Sequence, residues 1–340
     1  MESTRLGERG PVVSRVGIGT MSVLAEGDRT AAARLVHAAL DAGLTLIDTA
    51  DVYGDGAVEE FLGDALRGRR DEVVLATKVG LPMNADPGRA GGSAKWIRQA
   101  VEDSLRRLRT DRIDLYQLHR PDPTTPVAET VEVFGQLVQE GKVRYPGHSV
   151  FPAELIVEAQ WAAERAGVPA PVSDQPPYSI LVRGVERAVL PTARSHGLGI
   201  IAWGPLNGGW LTGKYRRGVP APADSRAARG NPFVKADDEV KLDVVERLGR
   251  VAREAGLTML QLGMSWPLQH PAITSVLIGP RTQDQLDELI AAASMTIEPA
   301  VLDAVDEIVP PGVDVDPRNA GWTPGGLAMT ERRRMASGVG

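Results

Sequence analysis

The sequence contains no cysteine, which excludes a disulfide framework, a thiolate nucleophile and a thiolate metal site. It also lacks a continuous apolar run of the roughly 18 residues that a membrane-spanning helix needs. Its opening residues have neither the basic start nor the unbroken apolar core of a secretion signal. Aromatic residues make up only 4% of the chain, which argues against a pocket built for flat polycyclic ligands. Basic residues are scattered apart from Arg332 to Arg334, and the net charge is −6 with a pI near 5.5. Neither a nucleic-acid surface nor a membrane patch is expected from that balance. These absences lead us to expect a cytoplasmic protein.

What is present is enough for a substantial core. The 340 residues, 43% hydrophobic and 24% charged, could build one large barrel or two smaller domains. Residues 4 to 15 place Gly10-Pro11 between two short segments that can pair as a hairpin. Strand-like runs then recur near Val16 to Gly19, Leu44 to Asp48, Val73 to Thr77, Ile113 to Gln117, Val143 to His148, Pro171 to Asp174, Leu198 to Ala202 and Ser275 to Ile278. Amphipathic segments with helix signals separate them: Thr30 as a cap for the run ending at Gly43, Ser93 before AKWIRQAVEDSLRRL, Pro126 and Pro152 opening two more, and Gly141 closing one. Alternation of this kind specifies a parallel sheet, and eight such repeats predict a (β/α)8 TIM barrel, with a doubly wound sheet as the main rival.

Three regions break the alternation: residues 80 to 93, residues 204 to 236 with a short helix around Trp210 to Lys214, and the chain from about Pro310. Long loops in compact proteins are usually functional or disordered. The first two are expected to shape a pocket at the carboxyl-terminal face, and the last 10 to 15 residues to be poorly ordered. The expected organisation is a single barrel over residues 1–309 and a partly flexible tail over 310–340.

Polar residues sit where the strands stop. Asp48 ends LTLID, Lys78 follows VVLAT, His119 follows IDLYQL, and Tyr53 lies in a glycine-containing loop after Asp48. Barrel chemistry occupies the carboxyl ends of the strands, so the four would converge on one rim. A carboxylate placed after a buried strand needs a partner, and Lys78 can be that cation. A buried ammonium beside Tyr53 favours the phenolate and makes the phenol a usable general acid, while a His119 ring N–H can orient and polarise a carbonyl oxygen. Taken singly, each is more often a solvated or structural residue; converging, they form a set that protonates an oxyanion but offers no nucleophile aimed at carbon and no metal cage. Such a set suits reduction by hydride from a bound cofactor.

DTADVYG, LATKVG and DLYQLHRPD resemble the segments carrying the Asp, Tyr, Lys and His tetrad of the aldo-keto reductases, and the resemblance runs from about residue 4 to residue 305. It implies a (β/α)8 barrel that binds NADPH/NADP+ without a Rossmann domain, and no GxGxxG follows a strand-like run here. The resemblance assigns the proton to Tyr53, its tuning to Lys78 and Asp48, and the carbonyl to His119. It places Ser149 and Gln175 on the nicotinamide carboxamide, with Val150 where the family has Asn, and Trp203 against the nicotinamide ring. Gly204, Leu206, Gly208, Gly209 and Lys214 resemble the pyrophosphate loop, and Gly279, Arg281, Gln285 and Glu288 the segment that binds the adenosine 2′-phosphate and adenine, with Leu289 in place of a frequent Asn. Arg281 favours NADP over NAD, because a guanidinium matches a phosphate in charge and shape. His148 departs from the apolar residue expected in its strand and could line the rim near His119 or be a buried structural histidine, the second being favoured. Met21, either Trp96 or Met83, parts of residues 204 to 236 and the tail around Trp322 are expected around the substrate.

The function implied is NADPH-dependent reduction of an aldehyde or ketone to an alcohol, with a small carbonyl compound as the partner. The oligomeric state is open, with a monomer favoured. Alternatives are a cofactor-binding sensor or auxiliary subunit with little turnover, as barrels resembling this family also serve membrane channels, and a reductase of an activated C=C bond or sugar intermediate.

Overall fold

The computed structural model describes residues 1–25, 27–84, 86, 88–230 and 234–322. The last 10 to 15 residues, expected to be poorly ordered, lie outside these residues. Two short strands, β1 (Ser3–Arg5) and β2 (Val12–Ser14), pair antiparallel. Eight parallel strands follow in chain order: β3 (Val16–Gly19), β4 (Leu46–Asp48), β5 (Val74–Val79), β6 (Ile113–Leu118), β7 (Val143–His148), β8 (Ser173–Asp174), β9 (Gly199–Ala202) and β10 (Ile273–Ile278). β10 pairs with both β9 and β3, which closes the barrel. The doubly wound alternative is thereby excluded.

Helices wrap the outside: α1 (Arg29–Asp41), α2 (Ala57–Ala65), α3 (Ala94–Leu108), α4 (Val127–Gln139), α5 (Ala153–Ala166), α6 (Val189–Ser195), α7 (Glu239–Glu254), α8 (Met259–Gln269), α9 (Gln283–Ala293) and α10 (Pro299–Ile308). Ser93 caps α3 by accepting from the Trp96 N–H, as its position before the apolar run implies. Thr30 does not cap α1. Asp28 does, accepting from the Thr30 and Ala31 N–H groups at 2.9 and 3.0 Å, because its carboxylate lies just ahead of the exposed donors and of the positive helix end. Among the described residues, no helix is long and apolar enough to cross a membrane.

Side chains alternate across each strand. The inward set of Leu46, Ala76, Leu115, Ile201 and Leu277 fills the barrel, and Leu6 and Val13 enter from the hairpin to plug its amino-terminal end. The outward set packs against the helices in a separate, larger cluster. Small residues make room for the plug: a Cβ on Gly199 would lie 2.4 Å from Leu6 Cδ1 and 2.5 Å from the Gly7 nitrogen. The carboxyl-terminal face has different cover. Residues 310–322 cross it, with Val315 N–H donating to Leu181 O at 3.0 Å, Gly184 N–H to Asp314 Oδ1 at 2.7 Å, and Lys241 Nζ lying 3.2 Å from Asp316 Oδ2. Arg318 and then Lys241 hold the Asp316 carboxyl down to about 2, against the opposing effect of burial.

Leu6 is fully buried, so Leu6→Ala should cost about 2–5 kcal/mol through lost transfer energy and the cavity left behind. Urea unfolding checks this; a loss below about 1 kcal/mol would show that the hairpin does not plug the barrel.

Candidate active site

The strand pleat explains how the polar residues meet. Leu46, Ala76 and Leu115 face the barrel interior, so Asp48, Lys78 and Gln117, each two residues further along, face it one layer higher. Lys78 Nζ lies 2.6 Å from Asp48 Oδ1 and donates to Thr49 O at 2.9 Å. The second carboxylate oxygen, Asp48 Oδ2, accepts from Gln175 Nε2 at 2.7 Å, with Gln117 Nε2 at 3.5 Å. Both charges are buried, at 2% and 1% exposure. Burial alone would push the Lys78 ammonium down, but Asp48 and Tyr53 outweigh it and its proton is held more tightly than usual. Lys78 is therefore a fixed positive charge.

Tyr53 opens the 3-10 turn Tyr53–Gly56 and is half-buried. Its ring centroid is 5.4 Å from Lys78 Nζ and 6.0 Å from the His119 ring, edge to face. His119 is anchored by its own N–H on Val79 O at 2.8 Å. Burial, then Lys78 and Arg120, push its imidazole down to about 2, so the ring is neutral at any working pH. The structure thus brings Asp48, Tyr53, Lys78 and His119 to one rim.

Around this rim, Ser149 Oγ donates to Gln175 O at 2.8 Å, and Trp203 continues from β9 half-buried against the barrel interior. Val150 has φ +58°, a left-handed conformation that a β-branched residue rarely adopts. Strain of this kind costs about 1–3 kcal/mol. An Asn would tolerate it better. What Val150 gains is packing: the place a Cβ would take on Gly321 lies 3.2 Å from Val150 Cγ1.

His148 does not reach the rim. Gly147 faces inward, so His148 points outward, with Nδ1 2.8 Å from Asp174 Oδ1 and its ring stacked on Phe151 at 4.3 Å. It helps line a cavity of about 340 Å³ between α4 and α5, which Trp322 also lines. Trp96 is likewise no wall of the reaction cavity. As part of the buried face of α3 it is 4% exposed, with the Arg89 guanidinium 5.3 Å over its ring. Met83 is also core, whereas Met21 is 58% exposed.

The second group of sequence-assigned residues lies along the loop after β9 and the start of α9. A 3-10 turn spans Asn207–Thr212, and Gly204, Gly208 and Gly209 take φ of +69°, +70° and +101°. A Cβ on Gly209 would sit 2.5 Å from Lys214 Cε, so the backbone and the Lys214 stem are in close contact. Leu206 is partly buried against the core. Burial pushes the Lys214 ammonium down, Asp224 opposes this, and Arg281 and Arg226 add to it. Arg281 Nη2 lies 3.2 Å from Asp224 Oδ2, which ties the long loop to the segment after β10. Gly279 is exposed just past β10; Arg281 N–H donates to Gln285 Oε1 at 3.0 Å, and Glu288 is exposed one turn further along α9. Lys214, Arg226 and Arg281 beside open glycine backbone suit a ligand carrying phosphates.

The sequence reading missed three residues. Arg120 follows His119 directly and puts its guanidinium carbon 6.0 Å from the Trp203 ring centroid. Arg226 lies in an irregular loop with no local signal to mark it. Asp51 was hidden inside DTADVYG: it is 1% exposed, and neither carboxylate oxygen has a hydrogen-bond partner among the described residues. Burial, and then Glu59, push its carboxyl up to about 7.

Residues 15–310 match the family described as the aldo/keto reductase family. The chain belongs to the aldo/keto reductase family. Among aldo/keto reductase relatives, an uncharacterized oxidoreductase of Bacillus subtilis is 37% identical over 333 residues, 95% of this chain and 100% of the relative. A probable voltage-gated potassium channel subunit beta of Arabidopsis thaliana is 34% identical over 321 residues, 91% of this chain and 97% of its own length. The L-glyceraldehyde 3-phosphate reductase of Escherichia coli is 34% identical over 291 residues, 82% of this chain and 83% of its own. As an aldo/keto reductase family member the chain is an oxidoreductase with a TIM barrel.

Asp51 gives this aldo/keto reductase a pH signature. Its folded pKa lies above the unfolded value of 3.8, so the native state binds the extra proton and stability falls as pH rises from about 4 to about 7. Asp51→Asn should therefore raise Tm more at pH 8 than at pH 5. An equal shift at both pH values would contradict the assignment.

Proposed function

We propose that the chain reduces an aldehyde or ketone to an alcohol with NADPH, and that one barrel unit over residues 1–309 carries the activity. The observation that carries this reading is the buried Asp48–Lys78 pair at 2.6 Å with Tyr53 and His119 gathered over it. Bound NADPH supplies the hydride. Tyr53 gives its phenolic proton to the carbonyl oxygen, and the Lys78 ammonium, held in its charged form by Asp48, stabilises the phenolate left behind. The neutral His119 ring donates a hydrogen bond that orients the carbonyl and takes up part of the charge developing on oxygen.

The residues present fit the cofactor. Trp203 offers a flat, half-exposed ring for the nicotinamide at the strand ends, and Ser149 and Gln175 lie beside it for the carboxamide. Gly204, Leu206, Gly208 and Lys214 would receive the pyrophosphate on backbone donors and one ammonium. Gly279, Arg281, Gln285 and Glu288 would hold the adenosine end, with Arg281 on the 2′-phosphate. A channel-associated sensor is the second reading, favoured by the Arabidopsis relative, and it differs in expecting tight cofactor binding with little turnover.

Tyr53→Phe separates the two. It should keep NADPH affinity, read by tryptophan fluorescence, and lose at least about 100-fold in kcat/KM for carbonyl reduction, the usual weight of a positioned general acid. Unchanged turnover in that variant would remove Tyr53 as the proton donor.

A further inference from the structure

Arg120 is a cation beside the rim whose hydrogen-bond partners among the described residues are all uncharged. Its Nη1 donates to His119 O at 2.6 Å and reaches Ser149 Oγ at 3.4 Å, and its Nε donates to Gly321 O at 3.2 Å. No carboxylate oxygen among the described residues pairs with it, and Nη2 hydrogen-bonds to none of them. Lys78 differs: that ammonium is neutralised at 2.6 Å by Asp48, whereas the two N–H groups on Arg120 Nη2 have no hydrogen-bond partner among the described residues. The backbone carbonyl and hydroxyl that it does engage fix its orientation. Trp203 lies under it, 6.0 Å from ring centroid to guanidinium carbon.

A partly desolvated guanidinium held this way is suited to capture a carboxylate or phosphate oxygen through Nη2. Its place in the chain sets the reach. Arg120 follows His119 and lies beside Trp203 and Ser149 at the same strand ends, so an anion on Nη2 would belong to a short substrate whose carbonyl is held between His119 and Tyr53. Burial pulls the Arg120 proton affinity down, and Tyr53 and Asp174 offset this only in part, a deficit that an incoming anion would make good.

We infer that Arg120 is a specificity-determining residue that selects short carbonyl substrates bearing an anionic group, carboxylate or phosphate. The inference rests on the reductase reading above and names the substrate class of that site.

The test uses matched pairs on the full-length protein with NADPH: succinic semialdehyde against butanal for the carboxylate, and glyceraldehyde 3-phosphate against glyceraldehyde for the phosphate. The ratio of kcat/KM, anionic over neutral, should exceed about 10 for at least one pair, and the pair that does so identifies the anion. Arg120→Met should lower that ratio about 10- to 100-fold, the usual weight of a hydrogen bond to a charged group. Arg120→Lys keeps the charge and should retain more of the preference than Arg120→Met; a Lys variant no better than Met overturns the inference. A parallel titration of the NADP+-saturated protein with succinate and with glycerol 3-phosphate, followed by tryptophan fluorescence, reads anion capture without chemistry. Anion binding that needs Arg120 in a protein that turns over none of the carbonyls leaves Arg120 an anion site, but defeats the reductase reading and with it the role of Arg120 in substrate choice. Turnover of neutral aldehydes with a ratio indifferent to Arg120 overturns the inference and leaves the reductase standing.

Discussion

The buried ion pair between Asp48 and Lys78 is the constraint around which the carboxyl-terminal half of the barrel is arranged. Neither charge is tolerable alone in an apolar strand layer, and removing one partner of such a pair typically costs about 3–5 kcal/mol. The amides of Gln175 and Gln117 lie on the remaining carboxylate oxygen, and Thr49 O takes a further proton of the ammonium. The pair therefore ties β4, β5, β6 and the end of β8 together at one depth. It also leaves a permanent positive charge beside Tyr53. Stability and chemistry draw on the same contact.

Above that layer the rim is assembled from exceptions to ordinary folding rules. Val150 accepts left-handed strain where a small polar residue would be easier, and in exchange offers an apolar seat for Gly321. Residues 310–322 are fixed midway by the Lys241–Asp316 pair and near their far end by Arg120 on Gly321 O. Arg120 thus touches the His119 loop, the Ser149 turn and this crossing segment at once. A change at any of the three would be felt by the other two. Asp51, whose buried carboxylate oxygens have no hydrogen-bond partner among the described residues, is a second departure of the same kind.

Much of this was legible in the sequence, and the reason is periodicity. Alternation in β4, β5 and β6 puts Asp48, Lys78 and Gln117 on one inner face, so strand ends alone brought the four rim residues together. The hairpin, the eight strands and the caps at Ser93, Pro126 and Pro152 followed from turn chemistry and helix signals. Thr30 was mistaken for a cap because Asp28 stands just two residues earlier and a carboxylate competes better for the exposed N–H groups. Trp96 was mistaken for a pocket wall because it stands in the first turn of α3 next to the loop, where the helix period turns its ring to the buried face. The direction of His148 depended on strand parity relative to Gly147. Arg226 and the Arg281–Asp224 contact depend on loop paths that carry no period.

The central claim is that this rim protonates a carbonyl oxygen while a nicotinamide delivers hydride to its carbon. The most direct test is isotopic: incubate the protein with NADPH carrying deuterium at both hydrogen positions of nicotinamide C4 and a reducible aldehyde, then analyse the alcohol by mass spectrometry. The account predicts one deuterium on the carbinol carbon. An alcohol formed without that label, or labelled cofactor bound and never consumed by any carbonyl, would contradict it.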